Sequence, residues 1–438
     1  MQSDGSLAPL RRLLAIERRV ASLCRRELAE SSLFEGTETV EKLQRATRLA
    51  EGYLSDDIDA SLLSAPGRAA VIDAVIDDLF FLGPIEPLLE DEDVSEIMVN
   101  APEEVWVERH GELELTDVIF EDDDHVKFVI DRVCEASGRR CDEGQPLCDC
   151  VLIRPGASFN GSRANCVCKG IAVDHHQLDI RKFSRGPVSM TALMEGGTFS
   201  QPMLEFMEAL VVGRMNILIT GGTGSGKTTL LNGLANFIPD GHRLVVIEDT
   251  PELKINKPNI SRLQYRPANA EGGGEVTIRD LVKNALRMRP DRIIVGECRG
   301  AEAYDMLRAI SSGHVGSLTT IHADSTRDAV ISLRTMVQVA GFDMNSRDIL
   351  DYVSRCFDFI ISVERGMDGR RRVTEIAEVQ GMEGDVVRVA PIMRFEQDPW
   401  AGGAITGCFV STGERISERN EEKMRRYGVE VEDWWYRC

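Results

Sequence analysis

The sequence predicts an α/β domain built on a parallel sheet, preceded by an α+β domain and a helical N-terminal segment. Three observations carry this. Beyond residue 198, the short apolar runs Asn216-Ile217-Leu218-Ile219, Leu244-Val245-Val246-Ile247, Ile293-Ile294-Val295 and Leu318-Thr319-Thr320-Ile321 recur between helical patterns, as strands covered on both faces do. Between residues 94 and 184, apolar and polar residues alternate at the strand period and one helical pattern interrupts them. Before residue 65, leucines and alanines recur at helical spacing among charges.

Taken in order, Leu7 to about Leu54 reads as two or three amphipathic helices, with Leu10, Leu13, Leu14 and Leu23 set among arginines and glutamates. A further helix runs from Ala69 to Phe81 and is closed by Leu82-Gly83-Pro84, where proline ends helical geometry. Val94–Asn100 and Glu104–Glu108 alternate as strands, and a turn at His110-Gly111 leads to a third from Leu113 to Phe120. A helix from about Asp124 to Ser137 follows, then strands near 147–154, 162–169 and 177–184. Gly186-Pro187 and Gly196-Gly197 bracket a linker. The expected divisions are a helical extension over 1–65, the α+β domain over 66–185, the linker over 186–197 and the α/β domain over 198–438. The last of these ends in a hairpin, Phe359–Val363 with Arg372–Ala377 turning at Asp368-Gly369, and in a helical segment from Ser417 to Tyr427. Trp434, Trp435 and Tyr436 are expected to pack against the domain, since aromatics more often fill cores than face partners.

At 438 residues the chain exceeds what one core holds. Its net charge of −21 is spread over short clusters such as Glu90-Asp91-Glu92-Asp93 and Glu121-Asp122-Asp123-Asp124. Such a surface repels nucleic acid and anionic lipid, so neither is expected as a direct partner. No apolar stretch reaches the length of a membrane span, and Arg11, Arg12, Arg18 and Arg19 break any signal-peptide core, which makes the cytoplasm the expected address. The 11 cysteines follow no secreted-type framework and are expected reduced. Cys148 with Cys150, and Cys166 with Cys168, each lie two apart, so each pair turns its thiols to one face of a strand. Zinc ligands are usually spaced more widely, which favours small buried hydrophobes over a metal site here.

The chemistry concentrates after the first buried run. Gly221-Gly222-Thr223-Gly224-Ser225-Gly226-Lys227-Thr228-Thr229 joins a strand to a helix in the pattern Gly-x-x-x-x-Gly-Lys-Thr. Glycines let backbone N–H groups curl around a phosphate and the helix N-terminus adds partial positive charge. Lys227 is placed for the β- and γ-phosphates of a nucleotide, and Thr228 for Mg²⁺, with Glu297 reaching the ion through water. Glu297 directly follows the third buried run, where a carboxylate can polarise the attacking water of phosphoryl transfer. Glu248, Asp249 and Glu252 form a second acidic group after the neighbouring run; Glu248 reads either as a second catalytic carboxylate or as a cap on the following turn. His322 ends the fourth run, placed to touch the γ-phosphate.

Three stretches in this order resemble the ATPases of the type II/type IV secretion superfamily. Glu248-Asp249-Thr250-Pro251-Glu252-Leu253 is similar to their aspartate box, Ile293–Arg299 to their Walker B box, and Gly313–Ala323 to their histidine box. Asn284–Arg292, Met382-Glu383-Gly384-Asp385, Leu82–Leu89 and Glu96–Asn100 resemble more narrowly the CpaF branch that drives tight-adherence (Flp) pili. The resemblance implies a RecA-like ATPase domain and a homo-hexameric ring in which the two domains clamp ATP. It also implies work on inner-membrane platform proteins, with membrane association only through them. It implies, further, that Arg163 and Arg181 reach the phosphates, a task suited to the guanidinium fork. Rival readings are a type II or conjugative type IV secretion motor, a nucleic-acid translocase on the same core, and a nucleotide-binding regulator that does not hydrolyse.

Overall fold

The computed structural model describes residues 8–30, 39–183, 188–268, 273–399 and 403–436. Met1–Arg185 and Gly186–Cys438 form two compact units, each with its own sheet.

The first unit begins with α1 (Ala8–Glu30), α2 (Thr39–Asp56) and α3 (Ala65–Phe80). The hydroxyl of Ser64 accepts the Gly67 N–H and a proline occupies the first turn, which starts α3 four residues before the sequence pattern suggests. Ile16, Val20, Cys24, Ala50, Leu54, Val71 and Val75 make one apolar core among these three helices. The division expected after residue 65 falls in the first turn of α3, a helix that shares this core with α1 and α2. After α4 (Glu86–Glu90) come β1 (Val94–Ala101), β2 (Glu104–Arg109), β3 (Glu112–Leu115), α5 (Asp123–Ala136), β4 (Leu147–Val151), β5 (Arg163–Val167) and β6 (Gln177–Arg181). The strands form an antiparallel sheet in the order β3-β2-β1-β6-β5-β4. β3 stops at Leu115 rather than running to Phe120, because Thr116 turns back to the Val105 carbonyl through both its N–H and its hydroxyl. The side chain of Asp122 caps α5, whose Val126, Val129, Ile130 and Val133 pack on Ile97, Val99, Leu178 and Ile180 of the sheet.

The second unit opens with α6 (Met190–Glu195) and α7 (Gln201–Val212). α6 occupies the stretch expected as a linker; Ser189 caps it, and Met190 is buried in the core beside Gly233. Then follow β7 (Ile217–Gly221), α8 (Lys227–Ala235), β8 (Leu244–Glu248), β9 (Ile260–Gln264), α9 (Ile278–Ala285), β10 (Arg292–Cys298), α10 (Glu302–Ser311), β11 (Leu318–His322), α11 (Thr326–Val339) and α12 (Ser346–Cys356). β12 (Phe359–Arg365), β13 (Arg371–Glu383), β14 (Val386–Gln397), β15 (Gly407–Ser411) and α13 (Glu418–Arg426) complete it. The nine strands lie in the order β15-β14-β13-β12-β7-β11-β10-β8-β9; β12 through β9 are parallel, and β13 to β15 extend the sheet antiparallel. Ile217 and Ile219 of β7 enter the core on one face and Leu218 that on the other, and β8 divides Leu244 and Val246 from Val245 and Ile247 in the same way. This is the α/β architecture the unbroken apolar runs predict, a parallel sheet buried on both faces.

The C-terminal helix is tied in through two buried carboxylates. Glu378 on β13 accepts the Ser417 N–H at 3.0 Å, the Ser417 hydroxyl at 2.6 Å and the Asn420 amide at 2.7 Å. Asp358 accepts the Asn216 N–H at 2.8 Å and the Lys423 ammonium at 2.5 Å. Trp435 is buried edge-on to Phe206 with ring centroids 5.3 Å apart, as expected of the aromatic stop, while Trp434 is partly exposed. Among the described residues, no helix is long and apolar enough to cross a membrane.

Candidate functional site

Four neighbouring parallel strands, β7, β11, β10 and β8, end on the same edge of the sheet, the edge where open α/β sheets bind ligands. β7 gives way to the loop Gly222–Gly226, and α8 begins with Lys227, followed by half-buried Thr228 and exposed Thr229; Thr223 is exposed on the loop. Two glycines here are structural necessities. Gly226, the residue before α8, has φ 98°, a left-handed conformation that costs glycine little. Gly221 lies so close to β12 that a Cβ would collide with the Val363 carbonyl oxygen and approach Ser225 Oγ to 2.6 Å. Gly221→Ala is therefore expected to destabilise the protein by about 1–3 kcal/mol, as overpacked sites do. Gly222→Ala, whose Cβ meets nothing within 4 Å, is expected to leave the melting temperature unchanged. Thermal denaturation of the two variants checks this.

Lys227 is buried. Its ammonium donates to the carbonyls of Gly221 at 2.9 Å and Gly222 at 2.7 Å, and lies 3.5 Å from His322 Nδ1. His322 Nε2 stands 2.8 Å from Glu297 Oε1, a close approach without a hydrogen bond. Burial and the Lys227 charge lower the pKa of the imidazole against the pull of Glu297, and so favour its neutral form. Glu297 owes its direction to a register break between β10 and β11 across Val295 and Cys298, where Thr320 Oγ1 donates to the Gly296 carbonyl at 2.8 Å. Its second oxygen accepts Arg299 Nε at 2.8 Å. Lys227, His322 and Glu297 thus form one continuous chain of contacts.

Glu248 is held by the turn that follows its strand. Buried at the end of β8, its Oε1 accepts the N–H groups of Glu252 and Leu253, both at 2.8 Å, and Oε2 lies 3.3 Å from Arg262. Burial raises its pKa. The two bonds from the Glu252 and Leu253 N–H groups cap the 250–253 turn. Arg163 and Arg181 belong to the first unit, where they sit directly opposite one another on β5 and β6, with Arg181 Nε 3.6 Å from Glu96. Like charges in register oppose each other unless anions lie nearby.

Two arginines escaped the sequence reading as site residues. Arg371, at the start of β13, donates from Nε to the Gly224 carbonyl at 2.9 Å and so braces the loop from 147 residues away. Arg299 bridges Glu297 and Asp249, the latter at 3.8 Å. The run Arg370-Arg371-Arg372 beside a turn was the available signal for the first, but nothing local ties it to the loop.

The loop fits a polyphosphate. α8 starts without a side-chain cap, so its N-terminus is open to an anion, and Ser225 Oγ is buried with no hydrogen-bond partner among the described residues. The Thr228 hydroxyl and the Glu297 carboxylate are hard oxygen donors of the kind Mg²⁺ takes.

The family profile for "Type II/IV secretion system protein" matches residues 171–390. A Mycobacterium tuberculosis protein named for conjugal transfer is 35% identical over 307 residues, covering 70% of this chain and 87% of its own length. The type IV secretion system protein VirB11 of Bartonella henselae is 31% identical over 333 residues, covering 67% of this chain and 91% of its own. The solved VirB11 ATPase of Brucella suis, in complex with sulphate, is 27% identical over 67% of this chain and 95% of that one, with a TM-score of 0.37. The profile match over half the sequence and the near full-length relatives lead to one conclusion: the chain belongs to the type II/IV secretion system protein family.

Proposed function

We propose that this chain hydrolyses Mg·ATP as one subunit of a homo-hexameric ring. The ring would stand at the cytoplasmic face of the inner membrane and drive tight-adherence type IV pilus assembly, with retraction within its reach, through a platform protein. The observation that carries the ATPase reading is the contact chain from Lys227 through His322 to Glu297 at the end of the phosphate loop. In this reading Lys227 and the loop N–H groups of Gly221 to Thr229 hold the phosphates, Glu297 orients and deprotonates the attacking water, and neutral His322 links that carboxylate to the phosphate end. Thr228 would hold Mg²⁺, with Glu297 through water, and the ion would neutralise charge on the phosphates. Arg163 and Arg181 are proposed to stabilise the transferring phosphoryl group, Glu248 to keep the 250–253 turn in place.

The pilus assignment rests on the CpaF-like stretches. Relatives named for conjugal transfer and type IV secretion make a secretion motor the second reading. Assays of the purified chain separate both from a nucleic-acid translocase. Hydrolysis is expected to need Mg²⁺ and to be unchanged by added DNA, in keeping with a net charge of −21. A DNA-stimulated rate that fades with salt would overturn that part of the proposal. Deletion of the gene is then expected to abolish surface pili; loss of conjugal transfer with pili intact would move the assignment to the secretion motor.

A further inference from the structure

Six cysteines are buried in the core of the first unit's sheet: Cys134, Cys141, Cys148, Cys150, Cys166 and Cys168. Nothing in the ATPase reading uses them. Cys134 comes from α5, Cys150 from β4 and Cys166 from β5, and their three sulfurs all lie within 4.8 Å of one another. The Cys134–Cys166 and Cys150–Cys166 separations are 3.8 and 3.9 Å. A tetrahedral zinc site with Zn–S bonds of about 2.3 Å has sulfur–sulfur edges of about 3.8 Å, the bond length multiplied by √(8/3). Two packed thiols also meet near that distance, so the pairs alone decide nothing. The convergence of three sulfurs from three elements is what a ligand set requires and ordinary packing does not.

A fourth thiol is at hand. Cys148 is the Cα partner of Cys166 and shares a strand face with Cys150, so its buried thiol stands on the same side of the sheet as the three. The helix ligand also answers the objection from spacing: two-residue separations on strands are too narrow for a zinc motif alone, but a sulfur from α5 closes the set from the other side of the core.

We propose that Cys134, Cys148, Cys150 and Cys166 form a buried structural site for zinc. With four thiolates and no access to solvent it would be a closed site, not a catalytic one. Binding would release the four thiol protons to solvent and bond four sulfurs to one ion. The ion would pin α5, β4 and β5 together on the face of β5 opposite Arg163.

The test uses the full chain, purified under reducing conditions, stripped with chelator and reloaded with zinc chloride or cobalt chloride. About one metal per chain is expected by elemental analysis, the ratio a four-thiolate site sets. The cobalt form should show thiolate charge-transfer and tetrahedral ligand-field bands. Zinc, but not magnesium, should raise the melting temperature by binding the native state alone. Cys134→Ala and Cys150→Ala should each bring metal content to background, and either suffices should the other fail to fold. Cys141→Ala, whose thiol pairs with Cys168 at 3.1 Å, should keep it. A wild-type chain folded by circular dichroism that retains no zinc or cobalt overturns the proposal, as does equal loss in Cys141→Ala and Cys134→Ala.

Discussion

Glu297→Gln is expected to bind ATP with near wild-type affinity and to hydrolyse it about 10²–10⁴-fold more slowly, the loss that follows removal of a positioned general base. The amide keeps the volume and the hydrogen-bonding reach of the carboxylate but cannot take a proton from water. Position argues for this residue over Glu248. Glu297 contacts His322, which touches Lys227, whereas both oxygens of Glu248 are engaged at the 250–253 turn and by Arg262. Single-turnover hydrolysis beside equilibrium binding of a fluorescent nucleotide separates the two effects. Wild-type turnover in Glu297→Gln would remove the carboxylate from the mechanism; loss of binding would make it a ligand for the nucleotide or its metal instead.

Lys227→Ala is expected to fail one step earlier. A hydrogen bond to a charged group contributes about 1.5–3 kcal/mol, so ATP affinity should fall about 10- to 100-fold, with turnover falling at least as far. The same ammonium holds the carbonyls of Gly221 and Gly222, so the variant also loosens the loop that carries the remaining donors. Lys227→Arg is the informative companion: it retains the charge but presents a flat, larger donor that the buried position cannot seat. Calorimetric titration with ATP checks both, and an unchanged dissociation constant for Lys227→Ala would refute the proposed phosphate contact.

How much of this was legible beforehand differs by element, for physical reasons. β7, β8, β10 and β11 are buried on both faces, so the first three write nearly unbroken apolar runs and β11 a short one interrupted by the buried Thr319 and Thr320, and the polar residues at their ends fall where the sheet needs them. β9 is an edge strand with half-polar faces, and Ile260-Ser261-Arg262-Leu263-Gln264 carries no comparable signal. β14 depends on pairing with β13, and β15 on pairing with β14, which no local pattern specifies. α6 lies between two glycine signals that read as linker, and only the Ser189 cap marks it. In the site, the order of Lys227, Glu297 and His322 could be read from strand ends. The alternative roles of Glu248 differ only in where two oxygens point. The brace from Arg371 joins residues that the sequence holds far apart, and Cys134 sits on a helix while the visible cysteine pairs lie on strands.

The two carboxylates that receive α13 bear on how the chain tolerates shortening. Glu378 and Asp358 lie in the interior of the catalytic sheet, and the terminal helix supplies the hydroxyl, amide and ammonium groups that solvate them. Removing those residues would leave Glu378 with the Gln380 amide and Asp358 with the Asn216 N–H, and would uncover the apolar surface that the helix now shields, Asp358 lying just before the strand beside the phosphate loop. The helix α13 thus acts as internal solvent for the second unit, and a version truncated before it would be a different folding problem rather than a smaller copy of the same fold.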